Sequence, residues 1–189
     1  MIGANELKRK MVISVEREPY MVLEVNVAAP SARGAQTMVK ARLRHLLTGA
    51  VSDRSFKAGE RFDEPDVEKV EASFLYRDDQ GYCFMEESTY EQHYLDAEHV
   101  GEARPYLTEG LVVTVLKYNG AIASLQLPVY VNLKVTATDA VRKGDAGSSS
   151  GMKPATLETG LEVRVPPYIA EGEVVRVNTE TGEVAGRAV

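Results

Sequence analysis

One arginine in a run of small residues is the side chain of this sequence best suited to contact a phosphate. Residues 28–36 read A-A-P-S-A-R-G-A-Q, so every side chain up to residue 35 is small except Pro30 and Arg33. Proline fixes φ and Gly34 permits a positive φ, which predicts a thin, turned loop with Arg33 near its tip. A guanidinium stays charged at physiological pH, donates paired hydrogen bonds to phosphate and stacks on bases. By geometry alone, however, such an arginine more often only meets solvent.

The segment that follows this loop carries a second group of cations. Residues 37–47 read T-M-V-K-A-R-L-R-H-L-L, and their period-two alternation predicts a strand with one polar and one mainly apolar face. The polar face carries Lys40, Arg42 and Arg44. Such a face is commonly just the solvated side of an antiparallel sheet. Its position directly after the arginine instead indicates one continuous surface for a phosphate backbone.

Charge is distributed unevenly along the chain. The formal charge of −6 argues at first against a nucleic-acid partner, because phosphate binding depends on Lys and Arg. Residues 1–63, however, carry 11 Lys and Arg against 7 Asp and Glu, a charge of +4. Residues 64–127 carry 4 against 13, or −9, and residues 128–189 carry 7 against 8, or −1. The basic first third is therefore the part expected to meet phosphate.

The elements that must position these residues are predicted to be strands. β-Branched and aromatic residues recur in short runs about ten residues apart, separated by turn residues. Asn119-Gly120 is the strongest hairpin signal, because both central turn positions require positive φ. The run S-T-Y-E at residues 88–91 instead matches a capping box and predicts a short helix that continues through Leu95. Further hairpin turns are predicted at residues 16–19, 78–81 and 178–182, and a mobile Gly/Ser-rich loop at 143–151.

This pattern predicts an all-β protein of three units of about 60 residues, each a small barrel of the SH3-like or OB type. Barrels of this size are marginal alone, so neighbouring units are expected to pack on one another. No apolar run approaches the roughly 20 residues of a membrane span, and the first residues do not match a signal peptide. A cytoplasmic location without membrane contact is therefore expected.

Other reactive residues indicate an enzyme only weakly. Glu86, Glu87 and Glu91 could act as paired carboxylates, and His93 and His99 could bind a metal. Adjacent carboxylates in a strongly acidic unit are usually a solvated face, and two histidines six residues apart match no common metal site. We therefore predict no catalytic residue, no metal and no cofactor.

A single-strand RNA-binding OB protein is a hypothesis of a different class. Its stacking residues would be Tyr82, Phe84, Tyr90 and Tyr94, although packing in a core is the commoner role of such aromatics. The one cysteine, Cys83, lies in the same apolar-flanked run and is predicted to be a buried core thiol rather than a nucleophile.

Three separated stretches resemble the elongation factor P family, and the resemblance covers essentially the whole chain. Residues 153–166, K-P-A-T-L-E-T-G-L-E-V-R-V-P, followed by Ile169 and Gly172, are similar to the family's C-terminal signature. Residues 39–49 and 56–60, V-K-A-R-L-R-H-L-L-T-G and F-K-A-G-E, resemble its first domain. The resemblance implies an L-shaped molecule with an SH3-like domain at residues 1–63 and OB folds at 64–127 and 128–189.

The tip of the loop departs from the best-known form of that family. There a modified lysine lies within Pro-Gly-Lys-Gly, whereas residues 29–35 read A-P-S-A-R-G-A and contain no lysine. This run is similar to the elongation factor P-like paralogue group, whose loop is one residue longer and carries an arginine. Lysine modification is thus excluded. An arginine-glycosylated elongation factor P proper is the alternative, although the loop of that type reads differently.

The resemblance also implies a function in translation. Such proteins bind the ribosome between its peptidyl and exit sites as monomers, contacting both subunits, ribosomal RNA and peptidyl-tRNA. Positioning of peptidyl-tRNA would relieve stalls at runs of proline, whose ring restricts the geometry of bond formation. The residues implied to reach the CCA end are Pro30, Ser31, Ala32, Arg33 and Gly34. Those implied to face RNA backbone are Lys40, Arg42 and Arg44, and those facing the small subunit are Gly144, Asp145, Ala146 and Gly147.

Overall fold

Strands dominate the protein, as the recurring β-branched runs predict. The computed structural model describes residues 1–30, 32–139 and 151–188, and these form sixteen strands with three short helical segments. Ser31 and the predicted small-subunit-facing residues 144–147 lie outside the described residues.

The N-terminal unit is built from two antiparallel sheets. Its strands are β1 (Ile2–Gly3), β2 (Val12–Val15), β3 (Glu18–Ala28), β4 (Met38–His45), β5 (Val51–Lys57) and β6 (Arg61–Phe62). The larger sheet has the order β2-β3-β4-β5, and β1 pairs with β6. A 3₁₀ helix, Ala4–Glu6, follows β1. Alternate residues of these strands, such as Ile13, Val39 and Leu43, form a core that excludes water.

The middle unit is a five-stranded antiparallel sheet. Its strands are β7 (Val67–Asp78), β8 (Gly81–Glu86), β9 (Gln92–Leu95), β10 (Val112–Tyr118) and β11 (Ala121–Gln126), in the order β11-β10-β7-β8-β9. Helix α1 (Ala97–Val100) and a 3₁₀ helix (Gly101–Tyr106) connect β9 to β10. The hairpin predicted at Asn119-Gly120 is confirmed, since φ is 51° and 79° at these residues.

The C-terminal unit is a second five-stranded antiparallel sheet. Its strands are β12 (Tyr130–Thr138), β13 (Lys153–Leu157), β14 (Glu162–Val165), β15 (Val174–Asn178) and β16 (Val184–Arg187), in the order β14-β13-β12-β15-β16. Two sheets of the molecule curl into half-barrels, and the all-β prediction is confirmed. The domain boundaries at 63/64 and 127/128 fall between sheets and stay predictions.

The helix predicted from residue 88 through Leu95 is wrong. Residues 87–89 form a turn, Tyr90 has a φ of 61°, and residues 92–95 form β9. Pairing with β8 buries Leu95 in the core of the sheet, which outweighs the local capping signal. Helix α1 begins later, where an Asp96 carboxylate oxygen accepts a hydrogen bond from the His99 N–H at 2.8 Å. None of the helices in the described ranges has the length and apolar character needed to cross a bilayer.

The three units pack on one another, as expected for barrels of this size. An apolar cluster joins the N-terminal and middle units; this inter-unit cluster consists of Met21, Leu23, Leu46, Leu116 and Ala123. The Thr159 hydroxyl donates to the Pro105 carbonyl at 2.5 Å and joins the middle and C-terminal units. Lys10 Nζ lies 3.5 Å from a Glu180 carboxylate oxygen and joins the N-terminal and C-terminal units. The hairpin of β3 and β4, which carries Arg33, therefore projects from an N-terminal unit that contacts both the middle and the C-terminal units.

Candidate nucleic-acid interface

The arginine loop, residues 29–37, extends beyond the last pair of β3 and β4. That pair is Ala28 opposite Met38, and the described residues from 29 to 36 are all exposed. The Ala35 N–H donates to the Ala32 carbonyl at 3.1 Å, and Gly34 inside this turn has a φ of +92°. Glycine is the residue that adopts this φ without strain, so the turn predicted around residue 34 is present.

Arg33 lies at the corner of that turn. Its side chain is exposed, and within the described ranges no hydrogen bond or ion pair joins its guanidinium to the rest of the protein. An added Cβ on the neighbouring Gly34 would meet no atom within 4 Å, so the space around the tip is open. The arginine is thus accessible to a partner, and no carboxylate of the described residues holds it back.

Lys40 lies on the exposed face of β4, and its direct cross-strand partners are uncharged. Its cross-strand partners are Asn26 on β3 and Ser55 on β5, and directly paired residues share a face. Lys57, two residues beyond Ser55, lies exposed on the same face near the base of the loop. The sequence reasoning missed Lys57, although the period-two alternation of residues 51–57 could have identified it. The basic patch of this unit consists of Arg33, Lys40 and Lys57.

Arg42 is also exposed, but it faces acidic neighbours. Glu24 on β3 and Asp53 on β5 are its cross-strand partners, one on each side. Opposite charges in such pairs attract one another, so the two carboxylates offset part of the field of Arg42. Arg42 therefore attracts phosphate less strongly than Lys40 does.

Arg44 lies on the same face of β4 as Lys40 and Arg42, as the period-two alternation predicts, but the middle unit covers this end of the strand. The contact of Arg44 with RNA backbone stays a prediction. The side chain is only 5% exposed. Its cross-strand partners are Met21 on β3 and Val51 on β5, and its guanidinium packs against Gly101 of the middle unit. Burial lowers the pKa of Arg44 below its ordinary value, while the Glu102 carboxylate acts in the opposite direction.

The carboxylates considered for an enzyme lie in a structural network. Glu86 is 2% exposed and accepts hydrogen bonds from Lys117 Nζ at 2.8 Å and from the Thr89 hydroxyl at 2.6 Å. These bonds, led by the one from Lys117, hold the pKa of Glu86 below its ordinary value. Glu86, Glu91 and His93 offer ligand atoms within 4.8 Å of one another, but the Lys117 ammonium already contacts the Glu86 oxygen that faces His93.

The second histidine has a separate set of partners. His99 Nδ1 lies 2.6 Å from an Asp96 carboxylate oxygen, and Nε2 lies 3.2 Å from the Leu47 carbonyl of the N-terminal unit. His99 thus fixes the end of α1 against the neighbouring unit. The two histidines do not share a ligand set, so the arrangement does not favour a common metal site.

The aromatic residues divide between core and surface. Tyr82 and Phe84 are buried in the middle unit, whereas Tyr90 is 73% exposed and Tyr94 is 36% exposed. The prediction of core packing is therefore confirmed for the first two and wrong for the others. The Tyr94 hydroxyl is hydrogen-bonded to that of Tyr76 at 2.8 Å, and this bond raises the pKa of Tyr94 above its ordinary value. Cys83 is fully buried, as predicted.

Sequence profiles of known families match all three units. Residues 3–62 match the profile described as the elongation factor P KOW-like domain, residues 67–125 that of the elongation factor P OB domain, and residues 131–187 that of the elongation factor P C-terminal domain. The barrel types expected for the first and middle units agree with these descriptions.

Curated relatives match over nearly the full chain. Elongation factor P of Bdellovibrio bacteriovorus is 42% identical, covering 99% of this chain and 98% of its own length. Elongation factor P 1 of Geobacter sulfurreducens is 40% identical over 100% of both chains. Among solved structures, eukaryotic translation initiation factor 5A from Methanococcus jannaschii is 14% identical with a TM-score of 0.42, over 66% of this chain and 92% of its own, and carries no weight in the assignment. On the profiles and the curated relatives, this chain belongs to the elongation factor P family, a family of translation elongation factors.

Proposed function

We propose that this protein binds the ribosome between the peptidyl and exit sites and promotes peptide-bond formation at runs of proline. In this role the arginine loop reaches the end of peptidyl-tRNA, and the basic patch faces RNA backbone. The protein acts as a monomer in the cytoplasm, and the ribosome performs the chemistry. Membership of the elongation factor P family supports the role in translation.

The single observation that carries the proposal is the exposed guanidinium at the end of a narrow hairpin, which has no ion-pair partner among the described residues. Small neighbours leave Arg33 as the only long side chain between Ala28 and Ala35. Such a tip can enter a crevice that a wider hairpin could not. The basic patch continues onto the sheet behind it through Lys40 and Lys57, which provides a second contact for phosphate groups.

The arginine would act by restricting the motion of the peptidyl-tRNA end. Proline reacts slowly because its ring limits the geometries of attack, so holding one reactive arrangement lowers the entropic part of the barrier. Orientation effects reach about 7 to 11 kcal/mol at most, and a stall requires relief of only a few. The loop supplies a guanidinium that stays charged at physiological pH, and the protein does not need to transfer a proton.

The proposal is tested with Arg33→Ala in a reconstituted translation reaction on a message that encodes a proline run. We expect the variant to bind ribosomes and to lose most of the rescue, because the tip no longer contacts the tRNA end. Equal rescue by the variant and the unchanged protein would contradict the proposed role. Arg33→Lys separates charge from shape, since lysine keeps the charge and loses the planar fork of donors.

Arg61→Ala is the matched control for this experiment. Arg61 is an exposed arginine of the same unit, on β6 rather than on the arginine loop. We expect this variant to rescue synthesis as well as the unchanged protein. A message without a proline run, translated equally by all variants, excludes a general loss of translation.

A further inference from the structure

All three units line one crevice, with a volume of about 970 Å³. This junction crevice lies between the packed face of β3 and β4, the 3₁₀ helix Gly101–Tyr106 and the turn at residues 179–182. Four cationic side chains line it, namely Arg9, Lys10, Arg44 and Arg104. Three carboxylates line it as well, namely Glu98, Glu102 and Glu180. The crevice lies outside the basic patch described above.

Arg44 is the most deeply buried of these cations and has no partner in the described part of the chain. Its side chain is 5% exposed, and its Nε is buried without a hydrogen-bond acceptor. A buried guanidinium with an unused donor is unfavourable unless an acceptor reaches it. An anion that enters the crevice would supply that acceptor.

The charges around Arg44 favour such an anion. Lys10 and Glu180 are 3.5 Å apart and largely compensate each other. Burial is the main cause that lowers the pKa of Arg44, the nearby Glu102 carboxylate opposes it, and the nearby cations Arg104 and Arg42 lower the pKa by smaller amounts. Arg104 donates from Nε to the Gly101 carbonyl at 3.0 Å, which fixes its side chain beside the same helix. Four cations against three carboxylates leave the lining of the crevice with a formal charge of +1.

We propose that the junction crevice binds a phosphate group, with Arg44 as the buried anchor and Arg104 as a second cation. A guanidinium matches the oxygen spacing of phosphate, and several donors that approach from different units suit a tetrahedral anion. The group comes either from inorganic phosphate or from the backbone of an RNA strand. The site does not depend on the role proposed for the arginine loop, because it is formed by the free protein.

Close packing at Gly101 shows how the anchor is positioned. A Cβ at residue 101 would lie 2.0 Å from a terminal nitrogen of Arg44, and Gly101 has a φ of +55°. Glycine is thus needed for the guanidinium to lie against this backbone. A bound phosphate would contact a side chain of the N-terminal unit and a side chain of the middle unit, and so would stabilise their packing.

The experiment compares sodium phosphate with sodium chloride at equal ionic strength, using calorimetric titration and thermal unfolding of the full chain. We expect phosphate to raise the melting temperature of the unchanged protein more than chloride does. In Arg44→Gln we expect phosphate affinity to fall by about tenfold or more, as for loss of a charge-assisted hydrogen bond. Arg61→Gln, an exposed arginine outside the crevice, should retain the affinity within about twofold.

The proposal is overturned if phosphate has no effect beyond chloride, or if Arg44→Gln binds phosphate as the unchanged protein does. Should Arg44→Gln fail to fold, Arg104→Gln decides, because residue 104 is exposed. We expect that variant to bind phosphate several-fold more weakly, and an unchanged affinity would refute the site. Competition with a short single-stranded RNA identifies the source of the phosphate group. If phosphate displaces the RNA from the unchanged protein but not from the arginine variant, the crevice binds the phosphate of an RNA backbone. If phosphate and RNA do not compete, the crevice binds inorganic phosphate.

Discussion

Two arginines of the N-terminal unit carry the same functional group in opposite surroundings. Arg33 is exposed on a loop of small residues, whereas Arg44 is buried against the middle unit. The small neighbours of Arg33 are local in sequence, so the exposed tip could be predicted. The burial of Arg44 depends on Gly101, a residue of another unit, so period-two alternation predicts its face but not its burial.

At Glu86 we predict a loss of stability that depends on pH. Glu86→Gln removes the carboxylate that Lys117 and Thr89 contact, so the midpoint of urea unfolding should fall at pH 7. The folded pKa of Glu86 lies below its unfolded value, so its contribution is full above the ordinary carboxyl range and is lost as pH falls through the folded pKa. The difference between variant and unchanged protein should therefore shrink in acid.

The matched control for Glu86→Gln is Glu109→Gln, because Glu109 is an exposed carboxylate of the same unit. It should unfold at nearly the same urea concentration as the unchanged protein at both pH values. A Glu86→Gln difference that stays constant from pH 7 into acid would show that the ion pair is not its cause.

For Arg33 we predict an unmodified side chain in the native protein. The loop resembles that of the elongation factor P-like paralogue group, and its sequence differs from that of the glycosylated type. Intact-mass measurement of protein purified from its own cells should give the mass of the chain, apart from processing of the first methionine. A mass increase of one sugar, localised to residue 33 by fragmentation, would instead favour the glycosylated type.

Turn residues predicted the hairpins well, because their backbone requirements are local. Asn119 and Gly120 both adopt positive φ, and Gly34 does so at the tip of the arginine loop. The helix predicted through Leu95 failed for the opposite reason, since a capping motif is short and β9 is determined by pairing with β8. Local signals thus identified turns, and pairing with a partner strand determined that residues 92–95 became a strand.

The turn at the tip gives a prediction for this element. Gly34→Ala places a Cβ on a residue whose φ is +92°, which costs about 1 kcal/mol of backbone strain. The added Cβ causes no steric clash, because no atom lies within 4 Å of it. We expect nearly unchanged global stability and a several-fold loss of rescue on a proline-run message, since the turn presents Arg33.

Gly59→Ala is the control for the turn variant. Gly59 has no positive φ, and its added Cβ would also meet no atom within 4 Å. It should keep full rescue and similar stability. Equal rescue by both alanine variants would mean that the conformation of the tip is unimportant.

At the scale of the whole molecule, the three units are joined by contacts that no local pattern contains. The inter-unit cluster brings together residues of β3, β10 and β11, and polar contacts link both ends of the chain at the junction crevice. Composition did predict that small barrels would need to pack together. It could not identify the contacting surfaces, because the apolar residues that form them are indistinguishable in sequence from core residues.

This coupling gives a prediction that compares two leucines of equal burial. Leu116 is fully buried in the inter-unit cluster, and Leu133 is fully buried in the core of the C-terminal unit. Each change to alanine should cost about 2 to 5 kcal/mol of stability, because each leaves a cavity. In hydrogen-exchange mass spectrometry, Leu116→Ala should raise exchange in β3 and β11 together, whereas Leu133→Ala should raise it mainly within β12 to β16. If Leu116→Ala affected the middle unit alone, the N-terminal unit would be held independently of the cluster, and the arginine loop would not depend on that packing.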